Sequence, residues 1–385
     1  GYMNIYTLNI PLCKDFTLML ETFGMKVIFL EDPLKQRHLF HDSTDLFQSL
    51  FILPLPISKD SWQQTAMFAL AESLEIPILF IYKRSKRMKD PQVLPKRTFY
   101  ETIAVPADSV EVKIKFKSLQ NISMQLYSAK MKEQELEKIN KKTKKSLHIA
   151  RNFQHLGLPL TIQKKDIEIH GLFQPSSELS GDLFYWMEVD DGKYGFIIID
   201  VCGKGIHTAL ISMSIRTLMP ELIKREKDPI FITKELNKHM GQLFQDMQRV
   251  SENNSYFTAF IGYVNTSTRL IEYVNCGHPP AFLYSPCTNE IHNLSEGSIP
   301  IGLIPDIPIK KVVFQYDAGS RFIIYTDGLC ESLNHPVVER FENIEREFID
   351  NVHLDTHDLL HKLLVSRMKH SEINDDICII AGTLF

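Results

Sequence analysis

The sequence predicts an α+β protein in three parts: a small α/β domain over residues 1–112, a long helical linker over 113–150 and a strand-rich layered domain over 151–385. Three observations predict it. Short apolar strands and helical stretches take turns through the first part, which argues a parallel sheet. The second part turns rich in Lys, Glu and Gln and holds neither glycine nor proline. After Pro159 strands and turn signals dominate and helices are segregated around them, the pattern of a layered sandwich.

In the first part, apolar runs place strands at Ile5 to Ile10, Lys26 to Leu30, Ser49 to Leu55 and Ile76 to Tyr82, with helices at Phe16 to Phe23 and Trp62 to Leu74. In the linker, Leu119, Ile122, Leu126 and Ala129 keep a three-four spacing that suits one long helix with a coiled-coil seam. The spacing continues through Glu133, Leu136, Asn140, Thr143, Leu147 and Ala150, so the seam is partly polar and fits a weak or switchable homodimer. Lys141, Lys142, Lys144 and Lys145 read as a solvated helix face, because no aromatic residues interleave with them as a nucleic-acid surface requires. In the third part, Asp190-Asp191-Gly192 is a hairpin signal between strands at Leu183 to Val189 and Tyr194 to Val201. Two helices interrupt the strands. One follows Gly203-Lys204-Gly205 and carries Ile206, Leu210, Met213 and Leu218; the other runs from His357 to Met368 with Leu359, Leu360, Leu363 and Leu364 as its stripe.

Composition narrows the function classes. With 44% hydrophobic and 23% charged residues among 385, the chain is long enough for two cores. A net charge of -4 exerts no pull toward nucleic acid or an anionic membrane. Cys13, Cys202, Cys276, Cys287, Cys330 and Cys378 are scattered with no Cys-x-x-Cys pair, which suggests neither a disulfide framework nor a zinc ribbon. No apolar run approaches a membrane span and the first residues lack signal-peptide regions, so the reduced cytoplasm is the expected location.

Function is concentrated in four aspartates, each where an apolar run begins or ends: Asp182, Asp200, Asp327 and Asp375. Taking Asp191 as the turn centre, Asp182 and Asp200 lie equally far along the two hairpin strands and meet at its open end. Phe196-Ile197-Ile198-Ile199 is a continuous buried strand that Asp200 ends, Phe322-Ile323-Ile324-Tyr325 repeats the pattern before Thr326-Asp327-Gly328, and Asp375-Asp376 opens Ile377-Cys378-Ile379-Ile380. Turn aspartates are common singly. Several beside buried strands need a counter-ion, which oxygen ligands supply as a divalent metal, and the reading is a two-metal hydrolase site.

An ordered series of motifs carries a family resemblance over about residues 147–385. It comprises Ala150-Arg151 with Gln154 and Leu158-Pro159, Gln174-Pro175, Ser180-Gly181-Asp182, Asp200-Val201-Cys202-Gly203-Lys204-Gly205 and Asn275-Cys276-Gly277-His278-Pro279-Pro280. Pro300-Ile301-Gly302, Tyr325-Thr326-Asp327-Gly328-Leu329 with Glu331, and Asp375-Asp376 follow. The segment resembles the bacterial metal-dependent protein phosphatases of the stage II sporulation protein E and stress sigma-factor regulator branch. The resemblance implies a four-layer αββα sandwich and two divalent ions, Mn²⁺ or Mg²⁺. Asp182 would hold the first ion, Asp200 would bridge both, the Val201 carbonyl would add a ligand, and Asp327 and Asp375 would hold the second.

The activity implied is hydrolysis of phosphoserine or phosphothreonine on a small anti-sigma-factor antagonist, with water held between the ions attacking phosphorus directly. A silent scaffold that binds such a partner is the rival reading. Without a phosphoenzyme no nucleophilic cysteine is needed, so Cys202 and Cys330 are expected to be packing residues. His278 is given a structural role, and Lys204 is expected either to reach phosphate or to face solvent. Ser180, Tyr185, Cys202 and Cys378 depart from the family pattern; Tyr185 stands where many relatives carry a second aspartate, which puts a water-mediated metal contact in doubt.

The first part resembles, more faintly, a response-regulator receiver, with Pro54 at the phosphoacceptor position, Tyr82 near the usual Ser/Thr, Val105-Pro106 in place of Lys-Pro and Asn9-Ile10-Pro11 in place of the acidic pair. Such a domain can bind or dimerise but cannot run phosphorelay chemistry; an unrelated α/β sensor domain is the competing reading. The linker leads through Ala150 to Pro159 toward the strand of Asp182, so helix packing and Asp182 are expected to be coupled.

Overall fold

The computed structural model describes residues 3–40, 49–58, 60–84, 96, 98–247, 255–331, 336–368 and 374–385. The chain divides into two compact units, residues 1–142 and 143–385.

The first unit contains β1 (Asn4–Leu8), α1 (Pro11–Thr22), β2 (Lys26–Leu30), β3 (Ser49–Pro54), α2 (Trp62–Leu74), β4 (Ile78–Lys83), β5 (Tyr100–Val105) and the start of α3 (Ser109–Leu156). All strand pairs are parallel, in the order β2-β1-β3-β4-β5. β3 and β4 are apolar on both faces because helices cover both sides. Cys13, Phe16 and Leu20 of α1 and Val112, Phe116 and Leu119 of α3 pack on one face, and Met67, Leu70 and Ala71 of α2 on the other. Two expectations change here. The first helix starts at Pro11, well before Phe16, since proline at a first-turn position gives up an N–H that would have no helical partner. The first turns of α3 belong to this core, and the helix continues past residue 150 to Leu156.

The second unit begins within α3. It continues through β6 (Ile162–Gln163), β7 (Ile167–Gln174), β8 (Asp182–Asp190), β9 (Lys193–Val201), α4 (Ile206–Arg225), α5 (Pro229–Met247), β10 (Phe257–Asn265) and β11 (Leu270–Cys276). Then come β12 (Ala281–Ser285), β13 (Glu290–Leu294), β14 (Gly297–Ser298), β15 (Val312–Gln315), β16 (Ser320–Tyr325), α6 (Gly328–Glu331), α7 (Val337–Asn351), α8 (Thr356–Met368) and β17 (Ile377–Leu384). One six-stranded sheet runs β14-β11-β10-β9-β8 with β15 on β11; the other runs β13-β12-β16-β17-β7-β6.

Alternation along the strands decides which side chains meet. Phe184 and Trp186 of β8, Phe196 and Ile198 of β9 and Phe260 of β10 point to Phe322, Ile324, Cys378 and Ile380 of the other sheet, forming one core between the sheets. Leu183, Ile197, Ile199 and Ile261 point outward to Ile211, Ile215 and Met219 of α4 and Ile232, Leu236 and Met240 of α5. Ile323, Tyr325 and Ile379 meet Ile344 and Phe348 of α7 and Leu359, Leu360 and Leu363 of α8. Each large apolar side chain so buried contributes about 1.5–3 kcal/mol. Phe184 packs directly on the β7 backbone at Gly171: a Cβ there would lie 2.4 Å from the Phe184 ring, and Phe184 and Trp186 stack 5.2 Å apart beneath it.

The expectation of two helices in this half is corrected, because α5 and α7 also interrupt the strands. Pro229 resembles a turn residue yet occupies the first turn of α5. Among the described residues, no helix is long and apolar enough to cross a membrane.

Candidate functional site

The hairpin β8–β9 aligns Asp182 directly opposite Asp200. Asp191-Gly192 makes the turn, with Gly192 at φ +72°, and a register irregularity between Glu188 and Asp190 absorbs the asymmetry close to it. Directly opposed residues of an antiparallel pair share a face. By alternation that face is the one carrying Phe184, Trp186, Phe196 and Ile198, so both carboxylates stand where the inter-sheet core ends. Thr258 of β10 is opposite Asp200 and extends the row.

The second pair comes from the other sheet. Asp327 follows β16 and leads into α6; Asp375 precedes β17. Thr326 ties these two ends together: its N–H donates to Cys378 O at 3.0 Å, and its Oγ1 accepts from Cys378 N–H at 2.9 Å.

Asp200 is the electrostatic centre. Burial and then the charge of Asp327 raise its carboxyl well above the usual carboxylate range, Asp375 adds to the effect, and hydrogen-bond contact with Asp182 opposes it. Asp182, only 3% exposed, is raised as well, first by burial, then by the charges of Asp200 and Asp376, with the Thr326 hydroxyl acting in the opposite direction. Its Oδ2 is buried without a hydrogen-bond partner. A buried carboxylate oxygen facing further carboxylates calls for a cation, and an all-oxygen donor set suits a hard one such as Mg²⁺ or Mn²⁺. Among the described residues no group of three or more His, Cys, Asp or Glu side chains is already arranged as a cation cage. The chemistry of the donors fits the group; the final closure of side chains around it is not preset.

Several neighbours differ from expectation. Asp376, read from the sequence only as the companion of Asp375, is a clamp: its Oδ1 accepts from Ser176 N–H at 2.7 Å and Ser176 Oγ at 2.9 Å, and its Oδ2 accepts from Gly181 N–H at 3.0 Å. Lys204 is solvent-exposed, in keeping with one of its two expected placements, and its Nζ donates to Asn374 O at 2.7 Å beside Asp375. It lies between Gly203 at φ +108° and Gly205 at φ +103°, a backbone region open to glycine. Tyr185 stands an odd number of residues from Asp182 and faces the helices, where the Arg216 guanidinium lies 4.0 Å over its ring. Cys330 is buried as expected, whereas Cys202 is exposed and is not a packing residue.

His278 is buried in the loop after β11. It is 6% exposed, and its Nδ1 is hydrogen-bonded at 2.9 Å with Oγ1 of Thr258, the residue opposite Asp200 on β10. Burial pushes its pKa down to about 3. The folded protein therefore holds it neutral while the unfolded chain takes up a proton below about pH 6.5, so folding stability falls as pH drops from about 6.5 toward 3. The parent protein is expected to lose up to about 1.4 kcal/mol per pH unit more than His278→Gln in that window. Denaturant midpoints of both proteins at pH 7.5, 6.0 and 5.0 check this; parallel curves would contradict it.

A family profile described as stage II sporulation protein E (SpoIIE) matches residues 190–384, just over half of the chain. The chain is 36% identical over 189 residues to the phosphoserine phosphatase RsbP of Bacillus subtilis (strain 168), covering 49% of the chain and 46% of that protein. It is 27% identical over 203 residues to the phosphoserine phosphatase RsbU of the same organism, covering 51% of the chain and 57% of that protein. It thus spans about half the length of these curated relatives. Among solved structures, the SiaA-PP2C domain of Pseudomonas aeruginosa shares the fold with a TM-score of 0.53 and 18% identity, covering 64% of the chain and 98% of that domain.

Proposed function

Because the chain belongs to the stage II sporulation protein E family, we propose that it is a metal-dependent protein serine/threonine phosphatase acting through the carboxylate cluster of its second unit. The observation that carries this reading is the register pair Asp182–Asp200 with its buried, unpartnered oxygen. Asp182, Asp200 and the Val201 carbonyl would hold one cation, and Asp200, Asp327 and Asp375 a second. When bound, two divalent ions neutralise charge on an in-line phosphoryl transfer and make a water molecule acidic enough to attack at neutral pH.

The chain's own residues position and exclude. Asp376 fixes the backbone before Asp182, Thr326 ties Asp327 to the start of β17, and Lys204 holds the glycine loop against Asn374. The inter-sheet core closes the site from below, so a phosphoester approaches from the loop side. Nothing in this scheme uses a cysteine or serine nucleophile, in keeping with direct hydrolysis.

The finer reading is a four-layer αββα phosphatase domain, a helical linker able to form a coiled-coil dimer, and a degenerate receiver-like first domain that binds rather than signals by phosphorelay. The proposed substrate is a small phosphorylated anti-sigma-factor antagonist. The relatives named as phosphoserine phosphatases support phosphoserine as the group removed. The direct test is phosphate release from a phosphoserine protein with and without Mn²⁺. Release should fall to background in chelator and return with added Mn²⁺ or Mg²⁺. Release that ignores the chelator would refute the mechanism, and none under any cation would leave the scaffold reading.

A further inference from the structure

We propose that Gln154 is a positioning residue for the cation site, acting through Ser180 on Asp182; the inference rests on the phosphatase reading above. Gln154 lies on α3 and is 2% exposed, an unusual place for a long amide side chain. Both ends of the amide serve one residue: Nε2 donates to Ser180 O at 2.8 Å and Oε1 accepts from Ser180 N–H at 3.0 Å. The side chain therefore acts as a substitute peptide group for a residue just outside β8. Ser180 passes the constraint on, because its Oγ accepts from Asp182 N–H at 3.0 Å and donates to Asp182 O at 3.2 Å.

A merely space-filling residue here would be apolar, since burying an amide gains little and costs about 1–3 kcal/mol wherever a bond is missing. What the amide provides is direction. Asp182 Oδ2 has no hydrogen bond, so the location of that oxygen is inherited largely from the backbone of residues 180–182. That backbone is gripped from two sides, by Gln154 at Ser180 and by Asp376 at Gly181. Gln154 is held in turn: three residues on, Gly157 O accepts from Arg216 Nε at 2.5 Å, and the same guanidinium lies on Tyr185 of β8. The helix end and the strand carrying Asp182 are thus one braced assembly. Residues of this kind, one bond removed from a ligand, typically change metal affinity by about 10–100-fold when altered.

The test uses the full chain with three substitutions, Gln154→Met, which keeps length and removes the amide, Ser180→Ala and Asp200→Asn. Mn²⁺ affinity is measured by titration calorimetry on metal-free protein, and amide hydrogen exchange at residues 181–183 is followed in chelator. Gln154→Met should weaken Mn²⁺ binding by about tenfold and speed exchange of those amides, with phosphate release recovering to within about twofold at saturating Mn²⁺. Ser180→Ala should weaken binding in the same direction. A folded Gln154→Met that binds Mn²⁺ as tightly as the parent overturns the proposal. If that variant does not fold, unchanged affinity in Ser180→Ala overturns it instead. Asp200→Asn separates the two levels: undiminished Mn²⁺ binding there sinks the cation site itself, whereas its loss beside a normal Gln154→Met sinks only the clamp.

Discussion

Asp200→Asn is expected to lower cation-dependent phosphate release by about 10³-fold or more while making the cation-free protein more stable by about 1–2 kcal/mol. The two effects have one cause. Asp200 stands opposite Asp182 and within the electrostatic reach of Asp327 and Asp375, and burial and these charges raise its pKa. Without a cation the ionised carboxylates repel one another in a site that water only partly screens. Asparagine keeps the shape and one acceptor oxygen but removes the charge, so the cation-free fold is relieved. The same substitution removes the shared anionic ligand, and a loss of about 4 kcal/mol in transition-state stabilisation corresponds to three decades in rate. An aspartate that served only to cap a turn would behave oppositely, losing stability and leaving catalysis alone. Phosphate release with Mn²⁺ and urea unfolding in chelator together check the claim. Equal rates in parent and variant would eliminate Asp200 as a ligand.

The juxtaposition of Asp182 and Asp200 was reached by counting from Asp191 as the turn centre; the two-residue turn Asp191-Gly192 alone would set Asp182 against Val201, and the irregularity between Glu188 and Asp190 restores the pairing with Asp200. Alternation alone places Tyr185 on the helix side, since an odd separation along a strand reverses the face. Asp327 and Asp375 were different. They sit just after β16 and just before β17 of the other sheet, distant in sequence from the hairpin, and only the order of motifs linked them to it. The role of Asp376 was hidden because a carboxylate that binds backbone N–H groups and one proposed to bind a cation look alike in sequence. Gln154 was visible as part of a motif, but its partner is a backbone group, which leaves no side-chain pairing to read. Helices α5 and α7 escaped because Pro229 and Pro336 mimic turns, although a proline beginning a helix disrupts nothing.

Gly328→Ala is expected to reduce phosphate release by about 100-fold and to cost about 2–3 kcal/mol in folding stability, although it adds a single methyl group to a short helix. A Cβ at Gly328 would lie 2.0 Å from Asp376 O and 2.9 Å from its carbonyl carbon, with the Asp375 carbonyl carbon at 3.4 Å. These are backbone atoms and cannot swing aside as the tip of a side chain can. The bonds between Thr326 and Cys378 oppose separation of the two segments, so the clash must be relieved by moving them as bodies. The movement separates Asp327 from Asp375 and disturbs Asp376, whose carboxylate holds Gly181 beside Asp182. Both proposed cation positions are therefore affected, and a displacement of about 1 Å suffices for a hundredfold loss in rate. Gly241→Ala is the internal control: nothing lies within 4 Å of its added Cβ on α5, and replacing glycine in a helix should stabilise by about 0.5–1 kcal/mol with activity unchanged. Urea midpoints and Mn²⁺-dependent phosphate release for both variants distinguish site distortion from a general intolerance of glycine substitution. A Gly328→Ala protein as active and as stable as the parent would mean that the close approach of these two segments does not set the geometry of the carboxylates.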